Sequence, residues 1–98
     1  MPYTKETVDG KTLMKIDASL TIYDVPALLE EFVSCFESGG EITVDVGSVT
    51  ECDAAGLQLL CAVRKNTREN RQSFRVLGDS KAIRDTLQYM GLKSDEII

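Results

Sequence analysis

The stretch ITVDVGSVTECDAAGLQLL, residues 42–60, decides which fold the chain adopts. Side chains alternate between apolar and polar over residues 41–46, which predicts a β-strand with one buried face. A turn is expected over residues 47–51, and an apolar helix begins directly after Asp53. A strand that passes through a short link into a helix is typical of α/β folds, whose parallel strands are connected by helices.

The junction between this strand and this helix holds three small residues, Ala54, Ala55 and Gly56. The carboxylate of Asp53 can accept hydrogen bonds from the free amides of the first helical turn, so Asp53 is predicted to be the N-cap. Glycine in that turn costs about 1 kcal/mol of helix stability relative to alanine. Gly56 therefore indicates that another backbone segment, or a partner, approaches the helix closely. The small residues at this junction either serve only to start the helix or form a contact surface for a partner.

The remaining elements follow from the same kind of periodicity. Asp9-Gly10 predicts a tight hairpin turn, Asp24 can cap the first helix, and Gly39-Gly40 ends it. The last four residues, 95–98, are expected to form either an edge strand or a frayed tail. In chain order the predicted elements are strands at 3–8, 12–18, 41–46 and 73–78 and helices at 24–38, 54–71 and 79–92.

This order of elements predicts an α/β fold with a mixed β-sheet of four to five strands. The opening hairpin is antiparallel, and the later helical crossovers join parallel strands. Because the strands alternate instead of being apolar throughout, the helices are expected to pack mainly on one face of the sheet. The 98 residues suffice for one hydrophobic core, so residues 1–98 are predicted to form a single domain.

The composition argues against several classes of function. A net charge of -5 repels the phosphate backbone, so a nucleic-acid partner is not expected. No apolar run reaches the roughly 20 residues that span a bilayer, and the N-terminus lacks the layout of a signal peptide. We therefore expect a cytoplasmic protein without direct membrane insertion. With no histidine and no metal-ligand spacing among the cysteines, no metal site is predicted, and no residue indicates a cofactor.

The three cysteines do not predict catalysis. Cys35 and Cys61 have apolar neighbours, which leaves Cys52 as the one candidate reactive thiol. No cation near Cys52 in sequence would lower its pKa, so an inert thiol is the favoured interpretation. The chain also lacks a glycine-rich phosphate loop and an evident acid/base pair. An enzyme is therefore not expected.

One segment departs from the acidic composition. Arg64, Lys65, Arg68 and Arg71 stand against the single acidic residue Glu69. Cations near a helix C-terminus interact favourably with the helix dipole, so a solvated helix end is the favoured interpretation. The alternative is a docking patch for an acidic partner.

The central stretch and the late helix SKAIRDTLQYMGL, residues 80–92, together resemble the STAS domain family, which includes the anti-sigma factor antagonists. The likeness covers nearly the whole chain, and its most specific part is Asp-small-small-Gly-Leu at the start of a helix. In the antagonists the resemblance implies a phosphoswitch. A partner serine kinase, itself an anti-sigma factor, phosphorylates a Ser or Thr just ahead of the helix glycine, and the modified form is released.

The phosphorylated position of that pattern falls on Ala55, so the resemblance implies that the phosphoacceptor is lost in this chain. Its neighbour Ala54 also lacks a hydroxyl group. Ser48 and Thr50 have hydroxyl groups, but they lie outside the register of the phosphosite. The residues expected to bind a partner are Ser48, Thr50, Asp53, Ala54, Ala55, Gly56 and Leu57, with the first helix nearby.

The resemblance implies a non-catalytic protein-interaction module in bacterial signalling that stays permanently in the unmodified state. The partner expected from it is a kinase-type anti-sigma factor or a chemotaxis or other signalling component. The alternative within the same family is a STAS accessory subunit of an ABC-type lipid transporter, which would clasp the nucleotide-binding subunit.

Overall fold

The computed structural model describes residues 3–97 and contains the strands and helices that the sequence predicts, in the predicted order. The strands are β1 (Tyr3–Val8), β2 (Lys11–Leu20), β3 (Glu41–Cys52) and β4 (Phe74–Leu77). The helices are α1 (Val25–Ser38), α2 (Ala54–Glu69) and α3 (Lys81–Met90), followed by a short 3-10 turn, Ser94–Glu96.

The four strands form one mixed sheet in the order β1-β2-β3-β4. β1 is antiparallel to β2, whereas β2, β3 and β4 are mutually parallel. The predicted α/β fold with a mixed sheet is thereby confirmed, with four strands within residues 3–97. No helix in this part of the chain is both long and apolar enough to cross a bilayer.

One face of the sheet is buried beneath the helices and the other is open. Met14 and Ile16 on β2 are fully buried, whereas Leu13, which points to the opposite face of the strand, is exposed. Val44 on β3 is fully buried beside them, and all three helices add side chains to the same apolar cluster. The prediction that the helices pack mainly on one face of the sheet, drawn from the alternation of apolar and polar residues, is therefore confirmed.

The predicted turn over residues 47–51 is wrong, because β3 continues through it to Cys52. Lys15 pairs with Asp45 but Asp17 pairs with Ser48, so β3 has one more residue than β2 over this interval. A second register shift follows Ala18, whose φ of 63° is left-handed. Such bulges interrupt the period of two, and the interruption resembles a turn in the sequence. The same pairing extends β2 to Leu20.

Residues 95–97 form neither an edge strand nor a frayed tail. The 3-10 turn ends at Glu96, and the Ile97 side chain is buried in the apolar cluster formed by the sheet and helices. The gain from burying an isoleucine, about 2 kcal/mol, fixes this segment without any strand pairing. Ile98 lies outside the described residues.

Candidate functional site

The carboxylate of Asp53 ties the start of α2 to the loop between β2 and α1. Its Oδ1 accepts a hydrogen bond from the Gly56 amide at 2.9 Å, which confirms Asp53 as the N-cap. Its Oδ2 accepts a second bond, also of 2.9 Å, from the amide of Ile22. One side chain therefore satisfies two backbone amides and fixes the position of the loop beside the helix.

Gly56 lies where α2 meets the end of β2. A Cβ atom at this position would lie 2.0 Å from the carbonyl oxygen of Leu20, a distance that no real contact allows. The Asp53 amide donates to the same oxygen at 3.3 Å. The close approach that Gly56 indicated is therefore made by the chain's own backbone and not by a partner.

The small residues at the start of α2 differ in exposure. Ala54 is exposed and Ala55 is half-buried, so both present methyl groups to a molecule that approaches the helix end. Leu57 is fully buried in the core, and Gly56 is buried as well. The expectation that Leu57 and Gly56 contact a partner is corrected accordingly: because the helix enters the core within its first turn, these two residues support the surface from beneath.

Ser48 and Thr50 lie on the bulged end of β3, and both are exposed. The hydroxyl group of Thr50 donates a hydrogen bond to the Ala18 carbonyl oxygen at 3.2 Å. The bulge therefore holds the Thr50 side chain against β2. Both hydroxyl residues precede the cap on a strand, and neither lies in the first turn of α2.

Two exposed apolar residues beside this helix end were missed in the sequence. Ile22 is 58% exposed and Tyr23 is 92% exposed, and the Ile22 amide is the one that Asp53 holds. Tyrosine is enriched at protein interfaces, where its large ring contributes contact area at low entropic cost. A signal was present, since the run TIYD places two large apolar residues ahead of the first helix and outside its buried stripe.

Asp24 holds the other end of this loop and does not cap α1 as the sequence predicted. Its Oδ2 accepts hydrogen bonds from the Ser19 hydroxyl at 2.8 Å, the Thr21 amide at 2.9 Å and the Thr21 hydroxyl at 3.0 Å. Partial burial acts to raise the pKa of Asp24, but these three bonds outweigh it and hold the pKa below its ordinary value. No side-chain cap bond forms at α1 because the carboxylate is turned back toward β2.

The exposed apolar surface continues along the outer side of α1. Pro26, Leu29 and Val33 recur at helical spacing, and all three are exposed. Leu29 lies outside the core, because the buried positions of α1 are Leu28, Phe32 and Cys35. We call Ile22, Tyr23, Pro26, Leu29 and Val33 the apolar rim. An exposed apolar surface of this kind is typical of an interaction site.

A comparison with protein families identifies the chain. The family model described as "Mlab, STAS domain" matches residues 4–98. The chain belongs to the STAS domain family. Among curated protein sequences, none matches it.

Solved structures share the fold of this STAS domain at low sequence identity. An anti-sigma factor antagonist from Mycobacterium paratuberculosis matches with a TM-score of 0.75 and 19% identity, over 91% of this chain and 76% of the other. The Bacillus cell fate determinant SpoIIAA in its phosphorylated form matches with a TM-score of 0.74 and 16% identity, over 92% of this chain and 84% of the other. The resemblance drawn from the sequence is therefore confirmed for family and fold.

Cys52 is the last residue of β3 and directly precedes the Asp53 cap. Burial raises the pKa of its thiol, and the neighbouring Asp53 carboxylate raises it further, against a lowering by the Thr86 hydroxyl. A thiol with a raised pKa holds little thiolate at neutral pH. These surroundings favour the interpretation of Cys52 as an inert thiol.

Proposed function

We propose that this STAS domain is a non-catalytic protein-interaction module in bacterial signalling. It binds a protein partner through the start of α2, the bulged end of β3 and the apolar rim. Because Ala54 and Ala55 offer no hydroxyl group, the surface stays in one unmodified state, and binding is not switched by phosphorylation at this helix end. A kinase-type anti-sigma factor and a chemotaxis or other signalling component are the partners of first choice.

The observation that supports this proposal best is the pair of hydrogen bonds that the Asp53 carboxylate accepts, one from Gly56 and one from Ile22. The bond to the Ile22 amide holds the largely exposed Ile22 and Tyr23 beside the start of α2, where Ala54 and Ala55 follow the cap with methyl side chains. Apolar side chains on a backbone that is already fixed can be buried by a partner at low entropic cost. A cap alone would explain the bond from Gly56 to Asp53, but it would not explain the second bond from Ile22.

Affinity capture of the tagged chain from its native cell tests the proposal. Ala55→Glu places a charge in the centre of the contact, and we expect it to abolish recovery of the partner that the native chain captures. Ala62→Glu is the matched control, because Ala62 is exposed on the same helix about 10 Å further along. Full recovery with Ala55→Glu would show that the partner binds elsewhere.

A STAS accessory subunit of an ABC-type lipid transporter is the alternative function. The absence of a phosphoacceptor at Ala54 and Ala55 favours it, since a permanently assembled subunit needs no switch. The Ala55→Ser variant separates the two functions. Incubated with the captured partner and ATP, it gains phosphate at residue 55 if the partner is a serine kinase. It stays unmodified, and an ATPase subunit co-purifies, if the chain serves a transporter.

A further inference from the structure

The C-terminal end of α2 concentrates positive charge in an acidic chain. Arg64, Lys65, Arg68 and Arg71, which we call the basic ridge, have one acidic residue among them, so residues 64–71 have a net charge of +3. The whole chain has a net charge of -5, and the remaining residues therefore sum to -8. Such a separation of charge favours electrostatic complementarity with an acidic partner.

The four cations of the basic ridge form no ion pair within the described part of the chain. Of the seven other cations, five form ion pairs with carboxylates and two, Arg75 and Lys93, have none within residues 3–97; the five are Lys5, Lys11, Lys15, Lys81 and Arg84. No carboxylate of residues 3–97 lies within 4.0 Å of a charged nitrogen of the ridge. The ridge therefore offers its cations to another molecule.

Stabilisation of the helix explains only part of the ridge. Arg68 is the basic residue of the last turn, where a cation interacts favourably with the helix dipole. Arg64 and Lys65 precede that turn, and the dipole effect decays within it. Arg64 and Arg68 are also like charges at i and i+4, an arrangement that slightly destabilises a helix unless an anion lies between them.

A small groove beside the ridge has the chemistry of a carboxylate site. Arg64 and Arg68 line it together with Thr67, Gln72 and Phe74 at the start of β4, and its volume is about 180 Å³. Among residues 3–97, no acidic residue lines this groove. The same two arginines also line a wider groove, which is bordered by the carboxylates of Glu69, Asp95 and Glu96. Their negative charge directs an anionic ligand toward the Phe74 side.

We propose that the basic ridge is a second docking surface, which binds a carboxylate-rich segment of a partner protein between Arg64 and Arg68. Two guanidinium groups one helical turn apart match side-chain carboxylates, because each planar fork can donate two parallel hydrogen bonds. A short acidic segment stays within the ridge. A long polyanion such as RNA extends more than a Debye length, about 8 Å, onto the negative remainder of the chain.

The basic ridge is separate from the surface at the start of α2. About 21 Å of helix lies between Ala54 and Arg68, so one protein can occupy each end at the same time. The STAS domain would then link two partners, and binding at the ridge does not depend on the function proposed above.

Fluorescence anisotropy of the full chain with a labelled oligoglutamate peptide tests the proposal. We expect saturable binding at low salt, and a loss of about ten-fold or more in affinity for Arg64→Glu/Arg68→Glu. Lys11→Glu/Lys15→Glu is the matched control, since it changes the net charge equally on the open face of the sheet and should retain most of the affinity. Arg64→Gln/Arg68→Gln is a milder change that should also weaken binding. It replaces the charge reversal as the test if that variant does not fold.

Three results would overturn the proposal. The first is no saturable binding by the native chain. The second is an equal loss of affinity in both charge reversals, which would indicate a general effect of net charge. The third is tighter binding of a single-stranded RNA of matched length and charge, which would assign the ridge to phosphate.

Discussion

The two ends of α2, a helix of 16 residues, differ in what they present to a partner. The N-terminal end is held by the chain itself: Asp53 caps it and bonds to the neighbouring loop, and Gly56 allows the backbone of β2 to approach. At the C-terminal end, Gln72 ties the following loop to the chain through the carbonyl oxygens of Cys35 and Gly40, but the cations of the basic ridge form no ion pair within residues 3–97. The N-terminal end is therefore fixed by contacts across the fold and mostly apolar at its surface, whereas the C-terminal end is distinguished by exposed positive charge.

This difference teaches that a partner would recognise the two ends by different means. At the fixed end, a partner gains from burying methyl groups and the apolar rim on a surface that is already ordered. At the charged end, binding would depend on salt, because exposed charges are screened. The comparison predicts that substitutions at the first end change stability strongly, whereas substitutions at the second end change it little.

Gly56→Ala should produce the largest effect at the fixed end. The new methyl group would collide with the carbonyl group of Leu20, so the helix start must move, and we expect a loss of about 3 kcal/mol in the free energy of unfolding. Chemical denaturation measures it. Gly47→Ala is the control, since the nearest atom to its new Cβ, at 3.2 Å, belongs to the side chain of Asp45. An unchanged midpoint in Gly56→Ala would contradict this account of the junction.

Asp53→Ala removes both bonds of the cap and should cost about 1 to 2 kcal/mol in the free energy of unfolding. Asp53→Asn retains a single acceptor oxygen, and its loss should be intermediate. Hydrogen exchange of the Ile22 amide distinguishes the two roles of Asp53. If exchange at Ile22 stays slow in Asp53→Ala, the carboxylate caps α2 but does not hold the loop.

Asp24→Asn should destabilise the protein by about 1 kcal/mol at neutral pH, because an amide is a weaker acceptor for the Ser19 and Thr21 donors. The folded pKa of Asp24 lies below its unfolded value, so the ionised group stabilises the fold above the unfolded pKa, near 3.9. That contribution is lost as the pH falls through the folded pKa. Unfolding curves of both proteins should therefore differ at pH 7 and converge in strong acid. A difference that persists in acid would rule out ionisation as its source.

Arg64→Gln/Arg68→Gln should have the smallest effect on stability, below about 0.5 kcal/mol in either direction. Removing Arg68 weakens the interaction with the helix dipole, while removing either charge relieves the repulsion between the two. Thermal unfolding measures the change. Arg84→Gln serves for comparison, since Arg84 has an ion-pair partner in Asp79. A loss as large as that of Asp53→Ala would show that the ridge is structural.

Local patterns in the sequence were sufficient for much of the fold. Asp9-Gly10, the alternation in residues 41–46 and the Asp53 cap each depend on neighbours in the chain, and each is found where it was predicted. The bulges in β3 were mistaken for a turn, because pairing with β2 decides whether an interruption of the period ends a strand. The STAS resemblance predicted a candidate site at the start of α2, which stays a prediction, and it did not indicate the apolar rim.

The sequence by itself determined the order of the strands and helices, the cap of α2 and the two methyl groups at its start, since these follow from spacing and residue type. Only the tertiary structure decided what approaches Gly56, which partners Asp24 chooses and which apolar residues of the first helix stay outside. Those outcomes depend on contacts between segments that are distant in the chain, such as the 2.9 Å bond from Ile22 to Asp53. Such contacts form only when the sheet and helices pack together, and no local pattern encodes them.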